Sequence, residues 1–307
     1  MLVKGKTKEM KIKKIKSWKM ERTGLPDIII MILITLLCLT CILPFLHVAS
    51  KSISSETAVL SKEVFFWPKG ISFSAYERVF QSAMLIRQLG FTALITVMQT
   101  LLRLVLLSLC AYPLSRRYLP GRLPISIFIL ITMYFGAGLI PSYLLLKDLN
   151  LLNTIWVLVL PGGFTAFDMI LMRTYFMNSV PDSLEESAVI DGASQFRILT
   201  RIYIPLSKPI YATLALFTAV GRWNGFGDAM YYVNDRKLQP IQLFLYNMIL
   251  SATPTDSLLN EAQVGNSIPP ETLQCAMIMF ATVPILLIYP FLQKYFVKGV
   301  MIGAIKG

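Results

Sequence analysis

Six stretches of this chain stay apolar over the length needed to cross a bilayer, and that constrains its fold more than any other feature. A hydrocarbon core about 30 Å thick requires roughly 20 apolar residues in a helix. Such runs occupy about residues 27–49, 88–115, 123–146, 151–172, 209–233 and 273–296. Only 15% of the 307 residues are charged, against 55% hydrophobic. A water-facing surface needs more polar cover than that, since about 25% charge is usual in soluble domains. The expected fold is an all-α membrane protein with six transmembrane helices. The first run exceeds 20 residues and no A-x-A site follows it, so a transmembrane helix is expected there rather than a signal peptide.

The net charge of +12 is unevenly placed. Nine of the 29 Lys/Arg lie in the first 22 residues, which predicts a basic cytoplasmic tail (1–26) against anionic lipid headgroups and no nucleic-acid partner. With the N-terminus inside, 19 Lys/Arg fall on the inner side and eight on the outer. That bias favours an N-in, C-in topology. Two outer segments exceed simple turns. Residues 50–87 contain the interfacial "FFWPKGISFSAYERVF", and 234–272 contain "PIQLFLYNMIL", expected as a short helix, before a polar loop.

Little in the chain could carry covalent chemistry. His47 is the only histidine and ends an apolar run, which suits an interfacial position. Cys38, Cys41, Cys110 and Cys275 all sit in apolar runs; the CxxC spacing of the first two has no His or carboxylate nearby to complete a metal site. No nucleophile–base cluster or phosphate-cradling glycine loop is present. Neither catalytic nor metal-ligating residues are expected.

The polar segment 181–205 interrupts this apolar pattern. Asp182 is placed to cap a helix with Glu185 reaching back, running to Ile190 and Asp191. Gly192 permits a sharp turn, and a second helical piece from Ser194 to Ile204 ends at Pro205. Ser187, Ala188, Gly192 and Ala193 are small enough for close approach of a partner, while Glu185, Glu186 and Asp191 offer carboxylates to Lys or Arg. An ordinary amphipathic interfacial helix would show the same pattern.

Two arginines are left inside the spans. At about 1.5 Å per residue, Arg222 lies ~20 Å from both Lys208 and Asp235, and Arg103 ~20 Å from Arg116. Asp168 falls only ~7 Å from the cytoplasmic end at Arg173, so a direct pair with either arginine is not expected. Intramembrane charges usually face a cavity or a partner. Arg222, Trp223 and Asn224, with Arg103, can therefore line a path for a polar solute. Equally, Arg222 can pack on a second subunit or a helix-end carbonyl. Gly136, Gly138, Gly162 and Gly163 are expected at helix-packing or kink positions.

The polar segment resembles the permease signature of bacterial ABC importers, E-A-A-x3-G-x9-I-x-L-P. Here it reads Glu186-Ser187-Ala188, three residues, Gly192, nine residues, Ile202-Tyr203-Ile204-Pro205, with Ser187 for Ala and Ile204 for Leu. "AYPLSRR", "GLIPSYLLL", "LNTIWVLVLPG" and "RWNGFGDAMYY" are similar to the maltose-type carbohydrate permeases, so the resemblance covers roughly 88–300. It implies a type I importer permease fold in a bacterial cell membrane. It also implies half of a path for oligosaccharide, completed by a second homologous and commonly non-identical permease. Two cytoplasmic ATPase subunits would bind the ATP and Mg, leaving this chain without cofactor, and an extracellular binding protein would deliver sugar. Glu186 to Ala193 would be the coupling helix, with Glu186 pairing to a basic residue of the ATPase, and the loop 251–271 would reach into the binding protein. Paired deep arginines hint at an acidic sugar. The competing class is a self-contained secondary transporter or channel, which should show inverted repeats and ion-carrying carboxylates; the candidates, Asp168 and Asp228, sit near span ends.

Overall fold

The computed structural model describes residues 25–250 and 270–304, with side chains in the last helix described as far as Ile288 and at Pro290. Most of the basic tail and residues 251–269 of the polar outer loop lie outside the described residues, as do residues 305–307. In chain order the helices are α1 (Leu25–Ser52), α2 (Glu56–Leu60), α3 (Ser74–Gln81), α4 (Ala83–Ser115), α5 (Arg122–Tyr134), α6 (Leu139–Asp148), α7 (Ile155–Val159) and α8 (Ala166–Ser179). They continue as α9 (Asp182–Ile190), α10 (Gln195–Ile198), α11 (Ile204–Leu206), α12 (Lys208–Asn224), α13 (Gly227–Tyr232), α14 (Ile241–Leu250) and α15 (Pro270–Ala304).

Among the described residues, three helices are long and apolar enough to cross a membrane alone: α1, α4 and the Pro270–Ile288 part of α15. Three bent pairs bring the total to six. α1 carries no Asp, Glu, Lys or Arg between Asp27 and Lys51 and exposes nearly all of its apolar side chains, as a lipid-facing helix must. α4 is the axial element. Its 33 residues span about 50 Å, and it packs on α8 and α12.

The bends are where hydropathy alone misleads. The third span, expected as one helix over 123–146, breaks between α5 and α6 at 114°. Gly138 takes φ +83 there, a conformation that glycine reaches without Cβ strain. The fourth span turns through 47° at the short 3-10 helix Pro161–Gly163 between α7 and α8. The fifth, expected over 209–233, stops at Asn224; Gly225 is extended and α13 starts afresh. Upstream of α12, α10 runs through a π turn (Leu199–Tyr203) into α11, so Pro205 sits inside this short helix rather than ending it. That segment meets α12 at 81°.

Three apolar clusters hold these pieces. One joins the end of α4 to α8, the π turn and the start of α12 around Phe176, Tyr203 and Leu214. A second sets Ile95 of α4 against α7, α13 and Leu243. A third packs α3, α14 and α15 around Val79, Ile241 and Ala276. Buried Thr92 of α4 accepts the Ile241 amide at 2.9 Å, tying α14 to α4. At the end of α1, His47 Nδ1 donates to the Phe65 carbonyl (2.7 Å) and Ser50 to that of Phe66 (2.7 Å), anchoring the aromatic outer segment.

Candidate functional site

α9 begins after Pro181, and no side chain caps it. The expected capping box from Asp182 to Glu185 is absent because Glu185 is committed elsewhere. Asp182 sits in the first turn, where its charge still opposes the helix dipole. The C-terminus closes by a Schellman motif: the Gly192 amide donates to Val189 O (3.0 Å) and the Ala193 amide to Ala188 O (2.9 Å). Gly192 takes φ +73, and nothing lies within 4 Å of where a Cβ would stand. Ala188 and Ala193 pack on the cluster beneath, which holds the turn down.

Glu185 is only 7% exposed, so it is not the surface carboxylate the sequence suggested. It forms a salt bridge with Arg116, the residue capping the end of α4. Tyr118 donates to its Oε1 (3.0 Å) and Tyr203 to its Oε2 (3.2 Å). The Arg116 guanidinium lies 4.2 Å from the Tyr112 ring centroid and 4.5 Å from that of Tyr203, and donates to the Tyr203 hydroxyl at 2.8 Å. Tyr112 in turn donates to Gln195 of α10 (2.8 Å). One buried ion pair thus joins α4, α9 and the π turn. A carboxylate and a guanidinium out of water hold only when geometry and further hydrogen bonds repay their desolvation; the tyrosine hydroxyls do this for the carboxylate, while Arg116 Nε and Nη2 find no hydrogen-bond partner among the described residues.

With Glu185 inward, the opposite face of α9 is free. Glu186, Ser187, Asp191 and Gly192 are exposed, as are the apolar Leu184, Val189 and Ile190, the last at 85%. Phe196 of α10 is exposed beside them. A cavity of about 780 Å³ runs alongside, lined by Arg116, Arg117, Tyr118, Glu186, Val189 and Ile190 among others. Sequence reasoning named the small and acidic residues and missed the large apolar ones. The signal was available for part of it: Glu185 and Ala188, one turn apart, share a face, which turns Glu186 and Ile190 outward.

The deep arginines are each held by contacts within the chain. Arg103 Nε donates to Gly162 O (2.8 Å), and its Nη1 reaches Asp168 Oδ2 (3.1 Å) and Thr218 Oγ1 (3.4 Å). The pair with Asp168, not expected from depth, exists because the fourth span breaks. α8 starts at Ala166, so Asp168 lies in its first turn, with the Thr165 hydroxyl accepting its amide. Arg222 forms a bidentate salt bridge with Asp228, one contact at 3.1 Å, and donates to Leu158 O (3.2 Å) and Gly225 O (3.2 Å). Leu158 and Gly162 belong to the break, whose carbonyls have lost their helical partners. The two arginines therefore satisfy orphaned backbone on either side of one kink. Trp223 is buried and donates to Ala281 O (3.1 Å). Of the four pathway candidates, Asn224 alone is exposed.

The profile of the family described as "Binding-protein-dependent transport system inner membrane component" matches residues 23–302. The chain belongs to that family. It is a multi-pass, non-catalytic permease subunit of the cell membrane, one part of an ABC transporter complex that works with a binding protein. The permease is 39% identical to the polygalacturonan/rhamnogalacturonan transport system permease protein YtcP of Bacillus subtilis, over 92% of this chain and 98% of that protein. It is 40% identical to protein LplC of the same organism, over 87% and 90% respectively. Among solved structures, one chain of a bacterial ABC transporter that imports the acidic polysaccharide alginate superposes with a TM-score of 0.84 at 35% identity, covering 90% of the permease and 99% of that chain. Asp168 and Asp228, the carboxylates a secondary transporter would have needed, are each held by an arginine.

Proposed function

We propose that this subunit of an ATP-driven oligosaccharide importer pairs with a second, non-identical permease, docks two cytoplasmic ATPases through the exposed face of α9, and passes an acidic oligosaccharide delivered by the binding protein. The observation that carries the coupling reading is the buried Glu185–Arg116 pair, which fastens α9 to the end of α4 and leaves Glu186, Val189 and Ile190 facing outward. A helix fastened in this way moves the membrane elements when a partner moves it. In this reading Glu186 offers charge to a basic ATPase residue, Ile190 and Val189 fill an apolar cleft, and the exposed Ser187 and Gly192 allow close contact, while Ala188 and Ala193 hold the helix down on the cluster beneath. The cytoplasmic side is then the side of α9, which agrees with the positive-inside bias of the sequence. The acidic cargo rests on the relatives named for polygalacturonan and alginate. It does not rest on Arg103 and Arg222, whose charges are already met within the chain.

The test is cargo-stimulated ATP hydrolysis by the reconstituted complex with Glu186→Ala or Gly192→Asp. Gly192 faces open space, so an aspartate there costs about 1–2 kcal/mol of left-handed backbone strain and leaves the membrane core untouched. The expected outcome is lost stimulation or lost ATPase attachment with the permease still folded. Unchanged attachment and unchanged stimulation in both variants would sink the coupling assignment.

A further inference from the structure

Where the start of α5 packs on the end of α8, two arginines share one seam with no carboxylate between them. Their side chains cross it in opposite directions. Arg173 of α8 donates from Nη1 to Ser126 Oγ on α5 (3.1 Å), and Arg122 of α5 points Nη2 at Met177 Sδ on α8 (3.4 Å). Ser126 stands one turn beyond Arg122, and Met177 one turn beyond Arg173. The two guanidiniums are therefore close, and each feels the charge of the other. Neither belongs to a salt bridge among the described residues. Arg173 Nε is enclosed and unpartnered, so it is turned away from any ligand. The remaining nitrogens, Nη2 of Arg173 with Nε and Nη1 of Arg122, are neither enclosed nor hydrogen-bonded among the described residues. Both side chains are half-buried.

The depth of the seam suits a headgroup. Arg122 opens α5, and Arg173 lies ~9 Å before the end of α8 at Ser179. Both therefore sit at the α9 side of their spans. Beyond Arg122, α5 is apolar and open: it buries no residue, and Leu123, Ile127, Phe128 and Ile131 are exposed. Like charges this close disfavour each other, and an anion placed between them removes that cost. A phosphate matches the planar fork of a guanidinium with two oxygens at once. Basic recesses between spanning helices on the cytoplasmic side are a recurring seat for anionic lipid. A soluble anion would meet the charges and leave the apolar face of α5 bare, whereas a phospholipid meets both. We propose that the seam between α5 and α8 binds one anionic phospholipid of the inner leaflet, its phosphate on Arg122 and Arg173 and its acyl chains along Leu123, Ile127 and Phe128. The site rests on the orientation that puts α9 in the cytoplasm and is independent of the cargo.

The experiment uses the complete importer purified in neutral detergent and titrated with phosphatidylglycerol or with phosphatidylcholine. Wild type, Arg122→Gln and the combined R122Q/R173Q variant are compared. Two quantities are read: the rise in Tm with each lipid, and the lipid retained by the complex in native mass spectrometry. The expected result is a larger rise with phosphatidylglycerol in wild type, together with a retained phosphatidylglycerol that survives detergent washing. That preference should fall several-fold in Arg122→Gln and nearly vanish in the double variant. Each variant is compared with itself in two lipids, so a general loss of stability from the missing Ser126 contact cancels. The basic tail is the same in all three and adds equally. Arg122→Gln leaves the Arg173–Ser126 contact in place, so it decides the matter even where the double variant fails to assemble. An undiminished preference for phosphatidylglycerol in Arg122→Gln would overturn the site. An equal rise in wild type from inorganic phosphate with phosphatidylcholine would assign the cations to a soluble anion and overturn it as well. Loss of the second permease or of the ATPases from Arg122→Gln in either lipid would assign them to a carboxylate of another subunit, with the same consequence.

Discussion

Arg116 and Glu185 show how a residue's charge can be visible while its role is not. In the sequence Arg116 is one more inner-side cation and Glu185 one more carboxylate of a polar segment. Nothing in the spacing announces that they meet, because they belong to different elements and the contact depends on how α8 and the π turn pack. In the fold their side chains are 5% and 9% exposed, so removing one partner strands a charge. Glu185→Ala should cost about 3–5 kcal/mol, read as lost thermal stability of the purified permease in detergent. The double variant Glu185→Leu/Arg116→Met should recover most of that loss, since replacing both charges with apolar groups avoids the stranded ion. A double variant as unstable as the single one would mean that the tyrosine contacts of Arg116, not the ion pair, hold the cluster. The signature residues Glu186 and Gly192 were legible because a short motif names them. Ile190 was legible only once the inward turn of Glu185 fixed the phase of the helix.

At the scale of elements, hydropathy located each apolar run and was blind to where the run bends. The depth of Asp168 was misjudged because a constant rise assumes an unbroken helix. The break at Pro161–Gly163 restarts the count and puts the carboxylate at the beginning of α8. The sequence did offer Gly162 and Gly163 as packing or kink positions, and the contacts give the reason. A Cβ on Gly162 would collide with the Gln99 amide, and one on Gly163 would stand 2.8 Å from Leu102. Both glycines let the kink lie against α4, where Gln99 and Arg103 bond the Gly162 carbonyl. Gly163→Ala should therefore destabilise by about 1–3 kcal/mol through overpacking, measured again as a fall in Tm. No change there would mean that Leu102 can move aside and that close approach of this turn is not required.

For the molecule as a whole, composition and six apolar runs were enough to choose a helical membrane protein, because lipid leaves a chain so few ways to satisfy its backbone. The packing order of those runs was not legible, since that is decided by side chains far apart in sequence. The internal pairing of Arg103 with Asp168 and Arg222 with Asp228 has a further consequence. Each deep cation travels with its own anion whenever its part of the subunit moves, so the conformational cycle carries almost no gating charge. Every uncompensated charge taken across would couple to voltage by about 2.3 kcal/mol per 100 mV. Binding-protein-stimulated ATP hydrolysis in sealed vesicles should accordingly be the same with and without an imposed diffusion potential when the cargo is neutral. A steep dependence under those conditions would mean that one of the pairs separates in transit. For a cell, such a subunit would leave the stroke with neutral cargo indifferent to the energised state of the membrane, so that any voltage dependence would come from charge on the cargo itself.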